Sequence, residues 1–226
     1  MTSYGGTVAA ILRKDLLLEW RSREALTSMG FFSLLVVVLF GFAFQTEKID
    51  PGLQAPGLLW IAFSFSGVLG LHRSFALERE GGCLQGLLLA PVDRSAVFLG
   101  KVVVNLILIG MVEALTYPVF SILLRVPILH ALPSLALVAF LGTLGFAEVG
   151  TLLSAVSSGS RLREVLLPLI LYPIWVPVLL SSVEATGLAL TGKPLAEGST
   201  WITLLVVYDL VFLGAGLLLF DHLLEE

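Results

Sequence analysis

Residues 102–124 contain one charged side chain, Glu113, with eleven uncharged residues on either side of it. A second run of the same form, 198–220, surrounds Asp209. A helix needs about 20 predominantly apolar residues to cross the hydrocarbon core of a bilayer. Six stretches meet that need, near 26–44, 57–77, 97–124, 131–156, 165–186 and 201–220. Residues 34–40 are apolar on every side, unlike the alternating segments of a membrane β-barrel. The interior prolines Pro118, Pro168, Pro173 and Pro177 suit kinked membrane helices, where neighbours can satisfy the freed carbonyls. Only 13% of residues are charged, against about 25% in soluble domains, and 57% are hydrophobic. A soluble enzyme and a disordered chain are thereby excluded. A net charge of -4 offers no basic patch for nucleic acid. Cys83 is the sole cysteine, so there is no disulfide framework and no paired-cysteine metal site.

Lysine and arginine set the orientation. With the N-terminus in the cytoplasm, Arg13, Lys14, Arg21, Arg23, Arg73, Arg79, Arg94, Lys101, Arg161 and Arg163 lie at the inner face. Lys48, Arg125 and Lys193 lie outside. Both termini are then cytoplasmic. The N-terminal stretch lacks the short apolar region and small-residue cleavage site of a signal peptide. Residues 7–24 read instead as an interfacial helix with a basic side. Asp15 and Glu19 fall within its apolar arc of Val8, Ile11, Leu12 and Leu16, so this helix is expected to meet protein as well as lipid. No stretch outside the spans is long enough for a soluble domain. The energy source is therefore expected in an ion gradient or in another chain.

The sequence carries no phosphate loop, no Gly-x-Ser-x-Gly and no His-Glu-x-x-His. His72, His130 and His222 lie in different segments with no ligand spacing, and no metal site is expected. No tryptophan-rich loop is present to cradle a porphyrin. The informative polar groups are the acids within the spans, Glu113, Glu148 and Asp209. An ionisable residue inside a membrane is costly and is a functional candidate by default. Three roles fit: binding a cation or proton, hydrogen bonding between helices, or lining a polar path. Ala62, Ser66 and Gly70 form a small-residue face on the second span, suited to a dimer interface or to packing within one chain.

The loop at 78–96 opens with Glu78, Arg79 and Glu80, then places Leu84, Leu87 and Leu88 on one face of a short helix that Pro91 ends. Its twelve uncharged residues are too few to span. An apolar helix at the cytoplasmic surface invites a partner groove, or else lies in lipid. This loop resembles the coupling element of ABC-2-type permeases, in an acidic pair, a glycine, a leucine-rich helix, a proline and a later Gly-Lys: Glu78, Glu80, Gly82, Leu84, Leu87, Leu88, Pro91, Gly100 and Lys101. The match extends to the haem exporter protein B family (CcmB). It begins at Lys14-Asp15-Leu16, Glu19-Trp20-Arg21 and Glu24. It continues through Pro56-Gly57-Leu58-Leu59-Trp60, Leu87-Leu88-Leu89-Ala90-Pro91, Glu113 and Gly150-Thr151-Leu152-Leu153. Arg163 to Pro168, Pro177-Val178-Leu179 and Tyr208-Asp209 complete it in order. Glu148 and His72 have no place in the family pattern.

The resemblance implies an all-α membrane protein: one permease domain over 1–226, of the ABC-2 type (type V exporter-like), with six transmembrane helices, an interfacial helix and a coupling helix. It implies an ATPase-coupling role for Glu78, Glu80, Gly82, Leu84, Gly86, Leu87, Leu88, Pro91 and Asp93. The implied partners are a second copy of the chain, two copies of the ATPase subunit CcmA, the subunits CcmC and CcmD, and the haem chaperone CcmE. ATP would be bound by the partner subunit and haem handled by the complex, in the bacterial cytoplasmic (inner) membrane. The implied function is to couple ATP hydrolysis to haem export or to release of the haem-loaded chaperone in cytochrome c biogenesis. The rival readings are a generic ABC-2 exporter of lipid, glycan or drug, an ion-coupled secondary transporter using Glu113 and Asp209, and a docking scaffold.

Overall fold

In lipid a backbone has no partner but itself, so each long apolar run closes its own hydrogen bonds as a helix. The computed structural model describes residues 3–44, 50, 53–74, 93–157 and 163–223, and every regular element among them is helical. Among the described residues seven α-helices follow one another: α1 Tyr4–Ser22, α2 Glu24–Ala43, α3 Gln54–Ser74, α4 Arg94–Leu124, α5 Leu132–Ser157, α6 Arg163–Leu190 and α7 Ser199–Leu223. Short 3-10 turns at Leu129–Ala131 and Leu195–Gly198 lead into α5 and α7. Six of these helical stretches are long and apolar enough to cross a membrane.

The helix ends have local causes. Ser3 caps α1, its hydroxyl accepting from the Gly6 amide at 3.2 Å. Arg23 ends α1 in the left-handed conformation, with φ 54°, and α2 begins at the next residue. Left-handed backbone is uncommon outside glycine. Here the Glu19 side chain supports the corner, its Oε1 accepting from the Leu26 amide at 2.8 Å. That bond satisfies one of the amides that a helix start leaves unpaired. Asp93 caps α4 through the Ser95 amide and hydroxyl, at 3.0 and 2.7 Å. α4 runs through Pro118 and stops at Arg125, again left-handed at φ 55°. α6 runs through Pro168, Pro173 and Pro177 and continues to Leu190, beyond the expected 165–186.

The helix α5 packs against α3, α4, α6 and α7. Glycines on α5 make this closeness feasible, since small residues let membrane helices approach. The Trp60 ring of α3 fills the space beside Gly142, and Leu71 fills that beside Gly150. Trp60 meets Phe63 and Phe146 edge-on at 5.7 and 5.6 Å, and Phe146 lies 4.3 Å from Trp175. These rings join α3, α5 and α6. Apolar side chains on the outer side of α2, among them Phe31, Leu39 and Phe42, are exposed. In a chain that spans a membrane such a face meets lipid.

Candidate functional site

Hydrogen bonds between hydroxyls, amides and indoles tie the spanning helices together. Ser33 of α2 and Thr116 of α4 share one at 2.8 Å. The Trp60 indole donates to Thr186 of α6 at 2.9 Å, and the Asn105 amide of α4 donates to Thr151 of α5 at 2.9 Å. The Ser154 hydroxyl of α5 donates to the Leu71 carbonyl of α3 at 3.1 Å. In lipid such bonds average roughly 0.6 kcal/mol each and reach about 1.7. Asn105, Thr116 and Ser154 carry no signal in the sequence, and Thr151 enters there only within the family pattern, because polarity of this kind reveals itself only once the facing helix is known.

Glu113, Glu148 and Asp209 fall into two different settings. Glu113 of α4 is 3% exposed, and the Thr143 hydroxyl of α5 donates to its Oε1 at 2.5 Å. It bridges two helices. Glu148 of α5 is fully buried and Asp209 of α7 is 5% exposed. Neither carboxyl has a hydrogen-bond partner among the described residues. Asp209 lies against Gly145, its Oδ1 2.9 Å from where a β-carbon would stand. Gly145 and Glu148 are three residues apart on α5, so they share one helix face. Asp209 and Glu148 are thereby in electrostatic reach of each other. The structure brings these two acids together and leaves Glu113 in a separate contact.

At the base of α4 a fourth acid finds a cation. Asp15 of α1 and Lys101 of α4 form an ion pair at 2.8 Å, with side chains 13% and 4% exposed. Ile11 seats beside Gly100, 3.0 Å from where a β-carbon would stand. The Ser95 hydroxyl of α4 donates to the Tyr4 hydroxyl at 3.2 Å. Thus α1 is fastened along the first turns of α4. The two acids that interrupted the apolar arc of α1 each have protein partners, Lys101 for Asp15 and the Leu26 amide for Glu19.

Ala62, Ser66 and Gly70 are buried within the chain. Gly70 takes the Met29 side chain of α2, whose sulfur would lie 2.6 Å from an added β-carbon. The exposed stripe of α3 is a different one, Ile61, Phe65 and Leu69. His130 binds the Leu190 carbonyl through Nε2 at 3.2 Å, which ties the turn before α5 to the end of α6. His72 is half-buried near the end of α3. No group of three or more His, Cys, Asp or Glu among the described residues could hold a metal ion. Of the expected ATPase-coupling residues, Asp93 is the helix cap already described. Glu78, Glu80, Gly82, Leu84, Gly86, Leu87, Leu88 and Pro91 lie outside the described residues.

Comparison with known proteins adds a lineage to this geometry. The family model described as CcmB protein matches residues 7–218. The "Heme exporter protein B" of Paracoccus denitrificans (strain Pd 1222) is 34% identical over 176 residues, 78% of this chain and 80% of that protein. The protein of that name in Pseudomonas aeruginosa is 28% identical over 211 residues, 92% of this chain and 94% of the relative. In Rhodobacter capsulatus the figures are 33% over 186 residues, 80% and 85%.

Proposed function

The chain belongs to the CcmB family, and from that premise we propose that it is the membrane permease subunit of an ABC transporter serving haem export in cytochrome c maturation. The carrying observation is the family match over residues 7–218, which takes in five spanning helices whole and all but the end of the sixth. The relatives that align along most of the chain share the name heme exporter protein B. The protein is a transporter subunit and not itself an enzyme. ATP is hydrolysed by a separate subunit, CcmA, two copies of which serve two copies of this chain. CcmC, CcmD and the haem chaperone CcmE complete the assembly. The chain sits in the bacterial inner membrane with both termini in the cytoplasm. Ten of its thirteen Lys and Arg residues then face the cytoplasm, in keeping with the positive-inside tendency.

Transmission runs through the loop at 78–96. Closure of the paired ATPases on ATP pushes the leucine-rich segment, and the push enters the membrane through α4, whose first turn follows that loop. The loop transmits a signal only if its contacts differ between the nucleotide states of the ATPase. The fastening of α1 to α4 supports this route, since movement of the base of α4 carries α1 with it. Glu78 and Glu80 offer charge to the partner, and Leu84, Leu87 and Leu88 an apolar face.

The test is co-purification. A Leu87→Asp, Leu88→Asp double variant should insert at the wild-type level, lose the ATPase partner and fail to support cytochrome c maturation. Retained ATPase together with retained maturation removes the coupling assignment. Purified complex also separates the cargo question, by asking whether haem, the chaperone or neither stimulates ATP hydrolysis.

A further inference from the structure

Glu148 and Asp209 are two carboxyl groups at the contact of α5 with α7: Asp209 lies against Gly145, and Glu148 is three residues further along the same face of α5. Their four oxygens are buried without a hydrogen-bond partner among the described residues. Burying a carboxylate without compensation is among the most costly arrangements a fold can hold. Two adjacent carboxylates repel each other as well. The helices packed on α5 and α7 carry other titratable groups, and α3 brings His72, half-buried near its end. On α7 itself, the Tyr208 hydroxyl donates to the Ile174 carbonyl at 3.0 Å. Within α4, Lys101 is committed to Asp15, Glu113 accepts from Thr143, and Tyr117 brings only a phenol. α6 contributes Tyr172 and the exposed Glu184, and the turn before α7 contributes the exposed Glu197. Gly145 supplies the space, because a β-carbon there would crowd Asp209 Oδ1, Tyr208 and Val178.

We propose that Glu148 and Asp209 together form a binding site for a monovalent cation, a proton or an alkali metal ion, between α5 and α7. A proton makes one carboxyl a hydrogen-bond donor to the other. An alkali ion takes oxygens from both. Either fills the partner role that Thr143 fills for Glu113. Neither depends on the ATPase partner, so the permease reading and this site can fail separately.

The experiment uses the whole chain in lipid nanodiscs and follows thermal unfolding. One arm varies pH at fixed ionic strength. The other replaces choline chloride by sodium or potassium chloride at fixed pH. A bound proton stabilises the folded chain, so the melting temperature should fall as pH rises through the range in which the proton leaves. A bound alkali ion should raise the melting temperature as the salt is exchanged. The Glu148→Gln, Asp209→Asn double variant should lose whichever response the wild type gives, and Glu113→Gln should keep it. An equal response in the double variant and the wild type overturns the site, as does a wild type that answers to neither ion. If the double variant does not fold, the wild type alone suffices. A hydrophobic carbodiimide reacts with protonated carboxyls in lipid, and mass spectrometry locates the adduct. Labelling at Glu148 or Asp209 should decline with rising pH or with added alkali ion. Labelling indifferent to both overturns the site.

Discussion

Two parts of the bundle treat buried acids in opposite ways. Along α4, Asp15 meets Lys101 at 2.8 Å and Glu113 meets Thr143 at 2.5 Å. Between α5 and α7, Glu148 and Asp209 stand within electrostatic reach of each other and, among the described residues, meet no donor. The first arrangement fixes helices in place. The second leaves buried carboxyl oxygens without a hydrogen-bond partner among the described residues. The same residue type is therefore bonded in one place and unbonded in another, and the facing helix decides which.

The contrast can be attacked from its strongest side first. Lys101→Met should cost about 2 to 3 kcal/mol of stability, because it takes the buried cation from the Asp15 carboxylate and leaves it the exposed Lys14 at 3.2 Å. Unfolding in mixed micelles reads this, and protease access to α1 should rise with it. Gly145→Ala should cost about 2 kcal/mol, since the new methyl group crowds Asp209, Tyr208 and Val178. That substitution also tests how tightly the unpartnered pair is held. Thr143→Val keeps the shape of the side chain and removes the donor to Glu113, for a loss of about 1 kcal/mol. Glu113→Gln keeps an acceptor for Thr143 and should cost less than about 0.5 kcal/mol by the same measurement. If Thr143→Val proved silent while Gly145→Ala and Lys101→Met did not, Glu113 would belong with the unpartnered acids and the contrast would collapse.

The spans were legible because charge is scarce enough for its absence to carry information. Residues 102–124 and 198–220 announce helices α4 and α7 by their uncharged length alone. Glu113, Glu148 and Asp209 stood out for the same reason. Their division into one bonded and two open carboxyls was not legible, because it depends on which helix faces which. Glu148 and Asp209 are far apart in sequence, and no local pattern pairs α5 with α7. Asp15 and Glu19 were visible as flaws in an amphipathic helix, but their partners come from α4 and from the start of α2. The left-handed corner at Arg23 had no sequence signal, since arginine carries no preference for that conformation. The small face of Ala62, Ser66 and Gly70 was legible as a close-packing face. That it lies within the chain was not, because Met29 supplies the contact from another helix.

The fastening of α1 has a consequence for how the chain is made. Synthesis runs from the N-terminus, so Asp15 and Ile11 leave the ribosome well before Lys101 and Gly100 exist. Until α4 enters the bilayer, α1 lacks the buried cation and the glycine surface that Asp15 and Ile11 meet in the finished bundle. It must wait at the membrane surface through the insertion of α2 and α3. Only then can the pair close and the helix be strapped down. The helix α1, made before every span, is among the later parts of the molecule to reach its final contacts.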